Sequence, residues 1–347
     1  MSGRHHTWPD LAKGLSIVMV VYGHAVVGVT ADIPIDPGLY ALLMKPLSQF
    51  RMPLFLFVSG LFAANALKRS WPEFVDRTLL QLIYVFVLWN LLQYGSRMAF
   101  AGFANHPVDP TILLRFPIDP LNVTWFIWAL IVYNVICRAW QGHSHIVLFA
   151  VAMFLALDPI EGVTYALEQT TRFFVFFLAG TAMSSWLLGR DWKVKGWHVG
   201  LSIPAYFIGS ALFLQTGLAE HAAAILAMRC AGITSIILLC MWFAGKFQCT
   251  SLAWLGRNSI AIFVMHTIVT AGARELLLRT GLTDNFIVLV MAAWIAGVVV
   301  PLALKVALDR LGVPWLFRRP SWFRLPRREP AMTQTHANTT GNIPMTG

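Results

Sequence analysis

Apolar residues recur along this chain in long, nearly uninterrupted runs rather than as a stripe with one polar face. Runs fall at 11–29, 50–67, 78–101, 123–138, 145–157, 171–188, 198–216, 222–244, 252–278 and 285–308. Most reach the ~17–25 residues that a helix needs to cross a bilayer. Hydrocarbon leaves the backbone to satisfy its own hydrogen bonds, so runs of this kind are helices. The short alternating segments of a membrane barrel are absent. The pattern predicts an all-α integral membrane protein, a single bundle of about ten transmembrane helices. The fifth run is the shortest, and Asp158-Pro159 closes it.

Composition agrees. Of 347 residues, 57% are hydrophobic and 12% charged. A soluble domain carries roughly 25% charged residues, so lipid is the expected solvent. The net charge of +10 does not gather on one soluble face and gives no reason to expect nucleic acid. It lies in short loops and near the C-terminus. With the N-terminus inside, the inner segments hold fifteen basic residues, six of them between Arg310 and Arg328, against six in the outer ones. The excess of Lys and Arg on the cytoplasmic side then predicts both ends inside, which an even number of spans requires. The first apolar run is long and passes straight into further spans, so it reads as a retained helix. Cys137, Cys230, Cys240 and Cys249 have neither zinc-ligand nor CxxC spacing and read as reduced structural residues.

Three segments follow: a transmembrane domain over 1–310, a basic-aromatic segment over 311–328 and a polar tail over 329–347. The middle one mixes Trp315, Phe317, Trp322 and Phe323 with arginines and is expected to lie on the anionic inner leaflet. The tail cannot build a packed element and is expected to be disordered. No internal repeat is evident, which weighs against a transporter made of duplicated halves.

Candidate chemistry concentrates in the first run, which reads Asp10-Leu-Ala-Lys13-Gly and continues to Tyr22-Gly-His24. Ionisable groups inside a span are costly and turn toward the protein interior. Eleven residues separate Lys13 from His24, which puts them about 20° apart on one helical face and ~16 Å apart along the axis. Asp10 lies near the same face. Anchoring at the interface, a favourable charge at the helix N-terminus and a hydrogen-bonded packing histidine would account for the three singly. As a set they offer a phosphate anchor near the inner surface and a base deeper in the membrane. Histidine suits base work because its unperturbed pKa is ~6.5.

The Asp10–His24 pattern resembles the first helix of the integral-membrane acyltransferase family 3, which includes sugar and polysaccharide O-acetylases. Phe50-Arg-Met-Pro-Leu-Phe-Leu-Phe-Val-Ser59-Gly60 is similar to that family's F-H-M-P-L-F-F-x-x-S-G signature. Leu255-Gly-Arg-Asn258-Ser259, continuing to His266, resembles its late L-G-x-x-S-L-x-x-Y-x-x-H helix, and Thr124-Trp125-Phe126 its x-W-F motif. The matches keep their order over residues 10 to 266. Lys13 stands where many members have Arg, as in the fucose 4-O-acetylase-like branch. Arg51 stands where His is common, and only Arg77 stands where some members carry two arginines.

The resemblance implies transfer of an acyl group, acetyl being the expected one, from acyl-CoA to a carbohydrate hydroxyl of a cell-surface or exported glycan. It implies His24 as the catalytic base. Lys13, Asp10, Arg69 and Arg77 would serve the donor. Arg51, Ser59, Trp125, Asn258, Ser259 and His266 would shape the acceptor site or cavity. Acyl-CoA is a co-substrate; no permanently bound cofactor and no metal are expected, although His5-His6 and His143-x-His145 are chance pairs. The expected setting is the inner (plasma) membrane, with the bilayer, acyl-CoA and a carbohydrate as partners. The competing function is a transporter that uses His24 as a proton relay. Ser59-Gly60 also reads as a close helix contact, and Trp125 as part of an interfacial aromatic belt.

Overall fold

A computed structural model describes residues 7–99, 111–247 and 249–324. Among them the regular structure is helical throughout. The helices are α1 (Trp8–Asp32), α2 (Pro37–Leu67), α3 (Trp71–Ala99), α4 (Trp125–Ala139), α5 (His145–Leu157), α6 (Tyr165–Leu188), α7 (Gly196–Gln215), α8 (Ala222–Lys246), α9 (Thr250–Arg257), α10 (Ser259–Arg279) and α11 (Phe286–Arg310). Eight of these are long and apolar enough to cross a membrane; α4 and α5 are shorter apolar helices. Together they correspond to the ten apolar runs. The tail over 329–347, and with it Arg327, Arg328, His5 and His6, lies outside the described residues.

Two elements differ from their expected form. The second apolar run starts at Phe50, with Pro53 suited to a first turn, but α2 begins thirteen residues earlier. Asp36 caps it by accepting from the Leu39 amide at 2.9 Å, and Pro37 opens it. Pro46 and Pro53 both fall inside the helix. Neighbouring helices in a bundle can satisfy the groups that such prolines free. The ninth run is two helices, because the chain bends at Asn258 between α9 and α10. A further irregularity sits in α3, where Val75–Leu79 widens into a π-helical turn.

Helix α1 occupies the middle and packs against α2, α8, α9, α10 and α11. Its N-terminal end is held by two small residues. A Cβ at Gly14 would overlap the Leu252 carbonyl oxygen, and a Cβ at Gly256 would overlap the Asp10 carbonyl oxygen. The backbones of α1 and α9 therefore touch where the Lys13-Gly14 and Leu255-Gly256 motifs meet. Membrane helices without a hydrophobic force between them depend on such close approach. Gly60 of α2 meets the α6 backbone at Phe177 in the same way. The Ser59 hydroxyl only donates back to Phe55 O within α2, at 2.7 Å.

The segment after α11 packs along α3. Phe317 stacks on Trp89 with centroids 5.8 Å apart. Tyr84 and Trp89 donate to the carbonyls of Trp315 and Leu316 at 2.7 and 2.8 Å. Arg319 is buried and pairs with Asp76 of the π turn at 2.6 Å. Gln81 donates to Phe317 O at 3.1 Å and accepts from the Arg319 amide at 3.0 Å. The polar groups that α3 offers at these positions are met by this strand of chain. Trp322, by contrast, stays exposed.

Candidate functional site

Helices α1 and α2 run antiparallel, and their register brings the candidate residues of both together at two depths. Near the start of α1, the Lys13 ammonium sits 4.0 Å from the centroid of the Phe62 ring of α2. Ten residues further along α1, Gly23 faces Arg51 of α2. Its missing side chain is what makes the room: a Cβ there would overlap the Arg51 guanidinium. Arg51 is thereby laid across α1 beside His24. Its Nη1 is enclosed and has no hydrogen-bond partner among the described residues.

Helix α10 brings the third group. Because Gly256 seats α9 on the start of α1, α10 runs alongside α1 in the same direction. His266 then lies against His24, with ring centroids 5.0 Å apart and planes inclined at 55°. His266 is fully buried. Its Nδ1 is 2.7 Å from Phe263 O and 3.1 Å from Ile262 O. A carbonyl only accepts, so Nδ1 carries the proton in neutral His266 and the lone pair is on Nε2. That Nε2 is enclosed and without a partner among the described residues. The charge of Arg51 acts on both imidazoles. Three polar side chains from three helices thus meet inside the bundle, and two of them, Arg51 and His266, have an enclosed nitrogen with no partner among the described residues.

One turn further out the same two helices meet again. Arg274 of α10 fits over Gly28 and pairs with Asp32 at 2.8 Å. Tyr22 packs edge-on against Trp294 of α11, 5.2 Å away, and Trp294 donates to Val18 O at 2.9 Å. These contacts fix the rotation of α1 and so the direction in which His24 points.

The other candidate residues form separate groups. Asp10 pairs with Arg257 at 3.3 Å and is within electrostatic reach of Lys13. Ser259 is buried at the start of α10, and Asn258 donates to Trp254 O at 2.8 Å across the bend. Arg69 donates to the Thr78 hydroxyl at 3.2 Å, while its carbonyl accepts from Arg138 at 3.0 Å. Arg77 is half exposed and pairs with Glu73 at 3.0 Å. Trp125 is buried and stacks on Phe173 of α6 at 6.0 Å. It does not touch the histidines, but its edge-on neighbour Tyr165 is within electrostatic reach of Arg51.

The sequence reading passed over Arg257, Gly23 and Arg229. A glycine directly before an intramembrane histidine, one turn-register opposite an arginine, is a signal that could have found the first contact between α1 and α2. Nothing in the linear pattern pairs Arg257 with Asp10 before the bend at Asn258 is known.

Comparison with known proteins gives the family. An acyltransferase-domain family model matches residues 6–310, a range that contains every group described above. A nodulation protein NolL from Mesorhizobium japonicum is 27% identical over 208 residues, which cover 57% of this chain and 54% of the relative. A nodulation protein NolL from Sinorhizobium fredii is 28% identical over 175 residues, covering 48% and 46%. The chain thus spans about half the length of the curated relatives it matches. No solved structure matches it. The family model covers most of the chain, eight of whose helices are long and apolar enough to cross a membrane, and the chain belongs to acyltransferase family 3.

Proposed function

We propose that the protein moves an acyl group, acetyl being the expected one, from acyl-CoA to a carbohydrate hydroxyl destined for the cell surface or export. The observation that carries this reading is the meeting of His24, His266 and Arg51, with Lys13 about 16 Å nearer the inner end on the same helix. A donor with a phosphorylated head and a long flexible arm matches that spacing. Its phosphates would rest near Lys13, with Arg69 and Arg77 on the same side, and its thioester would reach the histidines.

In this mechanism His24 accepts the proton of the acceptor hydroxyl as the oxygen attacks the thioester carbonyl carbon. Arg51 Nη1 donates to the oxyanion that forms, the role its open hydrogen-bonding position fits. The C–S bond then breaks, and the proton passes from His24 to the departing CoA thiolate. His266, its Nδ1 proton already committed to backbone carbonyls, offers Nε2 as an acceptor that can steady the imidazolium of His24. The short distance between the rings supports that assignment. Asn258 and Ser259 hold the bend that seats α10, and Asp10 with Arg257 holds the inner end of α1.

The distribution of basic residues further supports an N-in and C-in chain in the inner membrane, so that donor and acceptor come from opposite sides. The test separates the two ends of the site. His24→Ala should abolish transfer and leave acyl-CoA binding nearly unchanged. Lys13→Ala should weaken acyl-CoA binding, and Lys13→Arg should restore much of it. Equal loss of binding in both alanine variants, in protein that inserts normally, overturns the division of roles. Loss of a proton-coupled flux with no acyl transfer would restore the transporter reading.

A further inference from the structure

Two arginines in the outer half of the bundle, Arg229 and Arg51, have no carboxylate paired with them among the described residues. Arg229 lies seven residues into α8, ~10 Å below its outer end. Its guanidinium is turned inward, 5.1 Å from the centroid of the buried Phe173 ring. Among the described residues no carboxylate pairs with it. The charge that acts on it most is Arg172, which is already engaged by Glu168 at 2.6 Å and Glu161 at 3.2 Å. Arg51 is in the same condition, its Nη1 enclosed and unpartnered.

The register between α2 and α8 relates the two. These helices run in the same direction, and Gly232 meets Phe50 so closely that a Cβ would come within 2.8 Å of the Phe50 Cβ. Arg229 precedes Gly232 by three residues and Arg51 follows Phe50 by one. Arg229 therefore sits ~6 Å outward of Arg51 along the bundle, about one helical turn. The wall beside them is aromatic: Trp125 stacks on Phe173 at 6.0 Å and meets Tyr165 edge-on at 6.3 Å. Tyr165 is exposed at the outer end. An unpaired guanidinium in a membrane protein is costly. An outer-surface anchor would turn its head toward water, whereas Arg229 lies on a buried ring.

We propose, resting on the acyl-transfer reading above, that Arg229 forms an anion subsite for the acceptor, one helical turn outward of the Arg51 that serves the transfer step. The acceptor is then an acidic carbohydrate, bearing a carboxylate or phosphate within about one sugar ring of the hydroxyl that is acylated. Guanidinium forks match both anions. Trp125 and Tyr165 supply the apolar flank for the ring. A neutral glycan would leave the Arg229 charge uncompensated and bind less well.

The experiment measures binding to the full chain in lipid nanodiscs. The probes are a uronic-acid disaccharide, a sugar 1-phosphate and a neutral disaccharide of the same size. One anionic probe should bind at least about tenfold more tightly than the neutral one, and which of the two it is separates carboxylate from phosphate. Arg229→Gln should weaken that probe about tenfold, the loss of one charge-assisted hydrogen bond, without changing the neutral one. Arg229→Lys keeps a cation and should lose less. Equal binding of neutral and anionic probes overturns the subsite, as does unchanged anionic binding in Arg229→Gln. If Arg229→Gln fails to insert, Arg229→Lys and the salt dependence of wild-type binding decide: anionic affinity indifferent to salt overturns it. Acyl-CoA binding on the same samples keeps the two readings apart. Donor binding without anion preference removes only the subsite. Anion preference without donor binding removes the acyl-transfer reading.

Discussion

Adding one methyl group at Gly23 should disable the enzyme while leaving its fold in place. The alanine Cβ would occupy the space now filled by the Arg51 guanidinium. To recover an ordinary contact of ~3.5 Å the guanidinium must retreat by about 2 Å. It is the far end of a flexible side chain, so it can move without parting α1 from α2, and the stability cost should stay below about 1 kcal/mol. The functional cost is larger. A misplacement of ~1 Å at a reacting centre can cost about 100-fold, and loss of one oxyanion donor costs about 100- to 1,000-fold, or ~2.7–4 kcal/mol. Gly23→Ala should therefore lower the transfer rate about 100-fold with thermal unfolding in detergent nearly unchanged. The double variant identifies the cause. If the methyl acts through Arg51, Gly23→Ala should add nothing to Arg51→Ala, a coupling close to the whole single-variant effect. Gly95→Ala is the control, because a Cβ there meets nothing nearby. Wild-type rates in Gly23→Ala would refute the reasoning. So would an equal loss in the Arg51→Ala background, which would place the damage in helix packing instead.

Three further outcomes follow from the same geometry. His266→Ala should slow transfer by about 10- to 100-fold without changing acyl-CoA binding, and His266→Gln, which keeps a hydrogen-bonding group, should lose less; wild-type rates in both would remove His266 from the site. Gly256→Leu should push α9 off the α1 backbone and destabilise the bundle by roughly 1–3 kcal/mol or more, read as a lower unfolding temperature in detergent. Arg319→Ala should destabilise by a few kcal/mol, on the order expected for breaking a buried ion pair, whereas removal of 329–347 should leave activity near wild type; the opposite ranking would contradict the docking of this segment on α3.

Much of the fold was legible in the sequence because a membrane makes hydrophobicity and length nearly sufficient. The apolar runs became helices, and the short fifth run became α5 with the expected bounds. What the pattern hid depended on partners distant in the chain. Pro53 marks a plausible helix start, yet Asp36 and Pro37 cap α2 earlier. Asn258 breaks an apolar run only because Gly256 holds α9 against α1. Arg319 looked like a leaflet anchor until Asp76 was placed opposite it. The site was partly legible for the same reason. The common face of Lys13 and His24 is a property of one helix and could be calculated. The approach of His266 and the fit of Arg51 over Gly23 are set by helix register, which no single helix encodes. The resemblance pointed to the residues; the crossings show which of them meet.

The most direct measurement of the central claim is acyl transfer by the purified full-length protein in nanodiscs. It uses labelled acetyl-CoA with carbohydrate acceptors, acidic and neutral, and follows both CoA release and label on the sugar. The wild-type chain should release one CoA for each acyl group placed on the sugar, and His24→Ala should bind acetyl-CoA but do neither. Label transfer at the wild-type rate by His24→Ala, or donor binding and turnover absent from a folded wild-type protein, would contradict the account.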